Sequence, residues 1–345
     1  MFRIRVKNLI ALSILLFFAV AIVGCQEEGT TNSGAPFNDK EPIESTLNEE
    51  EKEANEHLTI NDSVGDLLEH PAFQGFEKHI MPWNDRSYEK DMPLHNIGTL
   101  LPFHSHVDPE TVVESLNYMI DKVNKNQKVF YDFYTDEQKQ QVSSRKDTGL
   151  FFFRGNPGAP LAIISPGGGF SYVGSLHEGF PYALELSNRG YNAFVLKYRV
   201  GGEQIATEDL ISAISYIVKN AEDLEVSVEN YSVWGSSAGA RMAANAGSFN
   251  REGFIRPNTV VMAYTAHTAF TENDPPTFVT VSEDDRIVDI DVVERRVANL
   301  RNAGIDVEYI PFKKAGHGFG LGIGTDAEGW INQAIEFWEK HMKST

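Results

Sequence analysis

The sequence predicts an α/β fold built on a mostly parallel sheet with helices on both faces. From Thr148 onward, short β-prone runs alternate with amphipathic helical stretches, the pattern of chained βαβ units. Around Ser237, the β-prone run Asn230–Trp234 leads into Gly235-Ser236-Ser237-Ala238-Gly239 and then into helix-prone Ala240–Ala246. That is a strand, a tight turn carrying a serine between two glycines, and a helix. A second glycine-rich turn, Pro166-Gly167-Gly168-Gly169-Phe170, directly follows the run Leu161–Ser165.

The elements follow in order. Strands are expected at Gly149–Arg154 and Leu161–Ser165, then a helix at Glu178–Arg189 stopped by Gly190. Tyr191–Tyr198 carries the apolar run Ala193-Phe194-Val195-Leu196 and reads as a buried strand. A helix over Thr207–Leu224 precedes the strand Tyr231–Trp234. Thr259–Tyr264 and Thr277–Ser282 are strands, Asp289–Ala303 a helix, Val307–Phe312 a strand and Ala327–His341 the last helix. The connection Thr265–Pro276 is too short to hold a large lid domain.

Upstream, the chain divides into three parts. Residues 1–24 resemble a lipoprotein signal peptide: Arg3, Arg5 and Lys7 precede the apolar run Leu9–Val23, which ends at Gly24-Cys25. Cys25 is the only cysteine of the chain, so it forms no internal disulfide and is expected to carry lipid. An uncleaved N-terminal anchor is the rival reading, and both place the rest of the chain outside the cytoplasm, on a bacterial membrane. Residues 25–56 are acidic and poor in large apolar residues, as expected of a disordered tether.

Residues 57–147 form an aromatic-rich extension expected to pack on the core. In it, Asp108-Pro109-Glu110 starts a helix running to about Val123, and short helices are expected at Asp62–His70 and Asp136–Val142. His104-Ser105-His106 beside Asp108 has the residue types of a metal site. With no second cluster at ligand spacing, capping and surface hydrogen bonding is the better reading.

The chain has 345 residues and a formal net charge of −19. Such a charge argues against nucleic acid, and against attraction to anionic lipid headgroups. Membrane contact is therefore expected through the Cys25 lipid alone.

Four loops at strand ends carry the chemistry. The turn at Ser237 aims a hydroxyl out of the sheet edge, with a helix N-terminus beneath it. The glycines after Ser165 let backbone N–H groups converge, as an oxyanion hole from Gly168, Gly169 and Ala238 requires. A phosphate-binding loop is disfavoured, because no G-K-[ST] follows and the dinucleotide spacing is absent. Ser282-Glu283-Asp284-Asp285-Arg286-Ile287-Val288 supplies a carboxylate, and Ala315-Gly316-His317-Gly318-Phe319 an imidazole. The order Ser237, Asp284, His317 is that of an α/β-hydrolase triad.

These pieces, with the run from Glu178-Gly179 through Gly190-Tyr191 to Leu196-Lys197-Tyr198-Arg199, resemble bacterial α/β-hydrolase esterases, the group of acetyl, acetyl-xylan and feruloyl esterases. Pro166 stands where many relatives carry His, and His177 where they often carry Arg. The family pattern places the acid three residues before a β-branched position, which selects Asp284 ahead of Ile287 over its neighbour Asp285.

The resemblance implies a serine esterase acting on short acyl groups, acetyl foremost, of small esters or acylated carbohydrates. Its two-step acyl transfer calls for no metal and no cofactor. Phe170, Tyr172, His177 and His267, on loops expected near Ser237, are candidates for shaping the pocket. Asp284-Asp285-Arg286-Ile287-Val288 also suits a serine peptidase of the prolyl-oligopeptidase type. A catalytically silent binding lipoprotein is the remaining alternative.

Overall fold

The computed structural model describes residues 56–343. The signal peptide, Cys25 and nearly all of the acidic tether lie outside the described residues. Among the described residues, one eight-stranded sheet runs in the order β1-β2-β4-β3-β5-β6-β7-β8. The strands are β1 Phe130–Tyr131, β2 Gly149–Phe153, β3 Pro160–Ser165, β4 Asn192–Lys197, β5 Ser227–Ser236, β6 Thr259–Ala263, β7 Thr277–Ser282 and β8 Val307–Phe312. β2 is antiparallel to β1 and β4, and all later neighbours are parallel. This is the α/β-hydrolase fold.

Both faces of the sheet are covered. Every residue of β2, β4, β6 and β7 is buried, which is why these strands read as continuous apolar runs rather than as alternation. The α-helices of six residues or more are α1 Val64–Glu69, α2 Pro109–Asn124, α3 Asp136–Gln141, α4 Phe180–Asn188, α5 Glu203–Lys219, α6 Ala238–Ser248, α7 Ile290–Asn302 and α8 Trp330–His341. The Asp108 side chain caps α2 through Glu110 N–H, with Pro109 in the first turn, as its sequence signature requires.

Several boundaries differ from the sequence reading, β5 starting earlier at Ser227 and α8 later at Trp330 among them. α4 begins at Phe180, because Ser175–Gly179 forms a wider π-helical turn, wholly buried. α5 is shifted toward the N-terminus, starting at Glu203 and ending at Lys219. The sheet itself begins inside the N-terminal extension, where β1 pairs with β2. Extension and core share one hydrophobic cluster, in which Phe73, Ile97 and Leu116 belong with Phe151 and Phe180.

β3 has β4 on one side and β5 on the other, so chain progression reverses direction there. In open α/β sheets the crevice at such a switch, beyond the carboxyl ends of the strands, holds ligands. The glycine loop leaves β3 at this point and the Ser237 turn leaves β5. The connection between β6 and β7, Thr265–Pro276, carries no lid.

Candidate active site

Ser237 stands at the tip of the β5–α6 turn with φ 49° and ψ −116°. An L-residue there is strained, and such strain collects at functional sites. The flanking glycines are needed for close approach. A Cβ on Gly235 would meet the Gly239 carbonyl, and one on Gly239 would meet the Ser165 carbonyl. Ser237 N–H donates to Ala263 O at 2.9 Å, which ties the turn to the end of β6.

Ser237 Oγ lies 2.9 Å from His317 Nε2, and His317 Nδ1 lies 2.7 Å from Asp285 Oδ2. The Asp285 side chain is fully buried and that of His317 nearly so. The acid facing the imidazole is therefore Asp285, which corrects the sequence reading of Asp284. The turn after β7 explains the difference. Asp285 Oδ1 accepts N–H bonds from Ile287 and Val288 at 2.8 and 2.9 Å, which leaves Oδ2 aimed at His317.

Asp284 braces the histidine loop instead. Its Oδ1 accepts from Ser282 Oγ at 2.6 Å, from Gly316 N–H at 2.8 Å and from Ala315 N–H at 3.2 Å. Those bonds, the Ser282 hydroxyl first and the Gly316 amide next, hold its carboxyl below the usual carboxylate range.

The glycine loop faces Ser237 across the crevice. Gly168 and Gly169 have φ of 130° and 61°. Their N–H groups, and that of Ala238 at the start of α6, meet no protein acceptor among the described residues. Gly167 is placed differently: its N–H donates to Glu178 Oε2 at 2.5 Å.

A cleft of about 420 Å3 opens over Ser237. Phe170, Ala266, Ile287 and Val288 supply apolar walls, while Glu203 and Arg241 form a polar one. Arg241 Nε donates to Glu203 Oε2 at 2.6 Å. Burial alone would raise the Glu203 carboxyl. The Asn245 amide and Arg241 outweigh burial and lower it, so this wall carries an ion pair.

Of the four residues expected to shape the pocket, only Phe170 lines the cleft. Tyr172, His177 and His267 are buried behind it. Tyr172 receives the Phe103 N–H and bonds His104, and His177 Nε2 meets Gly318 O at 2.9 Å. Burial first, and then His104, push the His177 imidazole down to about 4, so at neutral pH it is uncharged and donates to that carbonyl. For His267, too, burial dominates and lowers the imidazole to about 4. Loop position predicts nearness to Ser237, but these three rings are buried and do not line the cleft.

The sequence reading passed over Glu203, Arg241 and Thr265 in the cleft wall. Arg241 stands one helical turn after Ser237 on the helix that the turn itself opens, and that spacing is the signal that could have found it. Among the described residues no group of three or more His, Cys, Asp or Glu could hold a metal ion. His104 instead pairs with the buried Glu178, and the Ser105 hydroxyl donates to the His317 carbonyl.

A hydroxyl, imidazole and carboxylate are chained at the ends of β5, β8 and β7, beside unpaired backbone N–H groups, the arrangement that a serine hydrolase site of the α/β-hydrolase class requires. Comparison with known proteins agrees at this level. The BD-FAE family profile matches residues 154–269, and that of the prolyl oligopeptidase family matches residues 250–345.

An acetylxylan esterase of Xylanibacter ruminicola is 22% identical over 229 residues, 55% of this chain and 47% of the relative. The chain thus spans about half the length of that curated relative. Among solved structures, MGS-M1, an α/β hydrolase from a Medee basin deep-sea metagenome library, is 27% identical with a TM-score of 0.50. The match covers 56% of this chain and 92% of the other. The acetyl ester-xyloside bifunctional hydrolase of Caldicellulosiruptor lactoaceticus shares the fold at 20% identity and a TM-score of 0.54, covering 61% and 95%. The chain is an α/β-hydrolase-fold protein related to the acetyl-ester hydrolase group.

Proposed function

We propose that the protein is a serine carboxylic-ester hydrolase for short acyl esters, acetyl foremost, borne on small alcohols or carbohydrates. The observation that carries this is the chain Ser237 Oγ–His317 Nε2 at 2.9 Å and His317 Nδ1–Asp285 at 2.7 Å, open to the cleft. His317 takes the Ser237 proton as the hydroxyl attacks the ester carbonyl, and Asp285 orients the imidazole and stabilises its cation. The N–H groups of Ala238 and of Gly168 or Gly169 receive the oxyanion. His317 then protonates the leaving alcohol, and finally activates water to release the acid.

The carbohydrate part of the reading is supported by the relatives' names, acetylxylan esterase and acetyl ester-xyloside hydrolase. The match of residues 250–345 to the prolyl oligopeptidase family favours one second reading, a peptidase. Both are tested on one plate: p-nitrophenyl acetate and acetylated xylo-oligosaccharides beside a proline-containing peptide anilide. Turnover of the anilide in preference to the acetyl esters would reverse the assignment. The site is further read as facing outside the cytoplasm on a tether lipidated at Cys25, which the basic and apolar leader ahead of that cysteine supports.

A further inference from the structure

The acyl-transfer machinery of the core is clasped by a piece of the N-terminal extension, Phe103–Ser105. Its centre is a buried pair: His104 Nε2 stands 3.1 Å from Glu178 Oε1, and the two side chains are 2% and 0% exposed. Glu178 also accepts the Tyr264 hydroxyl on Oε1 at 2.7 Å and the Gly167 N–H on Oε2 at 2.5 Å. On the other edge of the imidazole, His104 Nδ1 lies 2.8 Å from the Tyr172 hydroxyl, which itself receives the Phe103 N–H. Both edges of the imidazole are thus engaged, Nδ1 by the Tyr172 hydroxyl and Nε2 by the carboxylate, to which Nε2–H donates. A buried carboxylate persists only when its lone pairs are taken in this way.

The geometry couples this pair to both halves of the site. Gly167 opens the glycine loop, and its α-carbon packs against the nucleophile, since a Cβ there would stand 3.0 Å from Ser237 Cβ and 2.7 Å from Glu178 Oε2. Glu178 therefore sets where Gly168 and Gly169 present their N–H groups. The next residue of the clasp, Ser105, holds the histidine loop. Its N–H donates to His317 O at 3.1 Å and its hydroxyl to the same oxygen at 2.7 Å. Tyr264, the third partner of Glu178, packs edge-on against His317, with ring centroids 5.3 Å apart.

We propose that His104 is a positioning residue for acyl transfer, which through Glu178 holds the Gly167–Gly169 loop in the register that receives the oxyanion. This rests on the serine-esterase reading above. A donor aimed at a developing oxyanion contributes about 10²–10³-fold to kcat, and a residue acting on its position contributes less.

His104→Ala and His104→Asn, neither of which presents a donor to Glu178, should lower kcat for p-nitrophenyl acetate about 10- to 100-fold, with KM within about threefold. His104→Gln, whose amide nitrogen reaches the place of Nε2, should restore kcat to within about fivefold of wild type. Affinity for a trifluoromethyl ketone, which forms an oxyanion on Ser237, should fall in parallel with kcat.

Equal kcat in the Asn and Gln variants would overturn the proposal. So would a loss in kcat that follows Tm across the series. Should His104→Ala not fold, the Asn–Gln comparison decides. Labelling of Ser237 by a fluorophosphonate separates the two levels. A wild-type enzyme that is not labelled sinks the esterase reading and this proposal together. A labelled enzyme whose kcat is indifferent to His104 sinks the proposal alone.

Discussion

Asp284 and Asp285 are neighbours in the chain and hold opposite sides of one loop: Asp285 Oδ2 meets the His317 imidazole at 2.7 Å, and Asp284 Oδ1 meets the Gly316 N–H at 2.8 Å. One carboxylate addresses the ring and the other the backbone that carries it. The two roles make different predictions.

Asp285→Asn leaves His317 without an anionic partner and with the wrong tautomer favoured. The expected loss in kcat is about 10³-fold or more. Asp284→Asn removes charge-assisted bonds to a loop whose imidazole is still correctly paired. It should reduce kcat by about tenfold at most and lower Tm by a few degrees. Steady-state kinetics and thermal melts of the two variants check this, and the reverse ranking would restore Asp284 as the acid.

Ser237→Ala and Ser237→Gly should both be inactive toward esters, with losses of about 10³-fold or more. They should differ in stability. At φ 49° an alanine keeps the backbone strain that a glycine relieves. Such strain is about 1–3 kcal/mol, and the greater unfolded-state freedom of glycine offsets about 0.5–1 kcal/mol of it. Denaturant unfolding should thus find the glycine variant more stable by about 1 kcal/mol, and an alanine variant of equal or higher stability would show that the turn is unstrained.

Acyl-chain preference follows from the open cleft. Each extra methylene contributes about 0.8 kcal/mol only where a wall removes it from water. Phe170, Ile287 and Val288 line a cleft that, among the described residues, has no lid domain over it, so kcat/KM should peak between acetyl and butyryl and fall at octanoyl. A p-nitrophenyl ester series measures this. A maximum at dodecanoyl or longer would require an acyl-binding surface beyond the cleft and would point to a lipase.

Lys197 gives a pH test of the joint between extension and core. It is fully buried, and its ammonium donates to Met81 O at 2.6 Å and Pro82 O at 3.2 Å. Burial pushes its pKa down to about 7, against a small opposing effect of Asp147. Between about pH 7 and the unfolded value near 10.4, the unfolded chain binds more protons, so this group makes stability rise with pH. Below pH 7 the lysine is charged in both states and the folded state bears the whole desolvation penalty. The Tm of wild type minus that of Lys197→Met should therefore increase from pH 7 to pH 9.5, and a flat or falling difference would contradict it.

Cys25→Ala should release the globular part from membranes or leave a precursor with its leader attached. Mass spectrometry of the membrane-bound wild type should find no residue before Cys25. An intact Met1 terminus would overturn the lipoprotein reading.

What the sequence by itself determined was what is local or periodic. Apolar runs two faces deep mark the parallel strands, and the Asp108-Pro109 pair marks the start of α2. The small residues at Gly235 and Gly239 mark a turn tight enough to expose a serine. The chain order of hydroxyl, carboxylate and imidazole follows from strand order and was equally readable.

What only the tertiary structure decided were choices between near equivalents, set by direction and burial. Asp284 and Asp285 have the same chemistry and adjacent positions, and the Asp285 bonds to Ile287 and Val288 N–H select which one faces His317. Tyr172, His177 and Phe170 are close in sequence, yet only Phe170 reaches the cleft, because Tyr172 packs against Gly168 and His177 is buried against the Gly318–Gly320 segment. His104 lies in a different segment from Glu178, and no spacing rule joins them. Their pairing exists because the extension folds back over the sheet edge and leaves a buried carboxylate that needs a donor at that point.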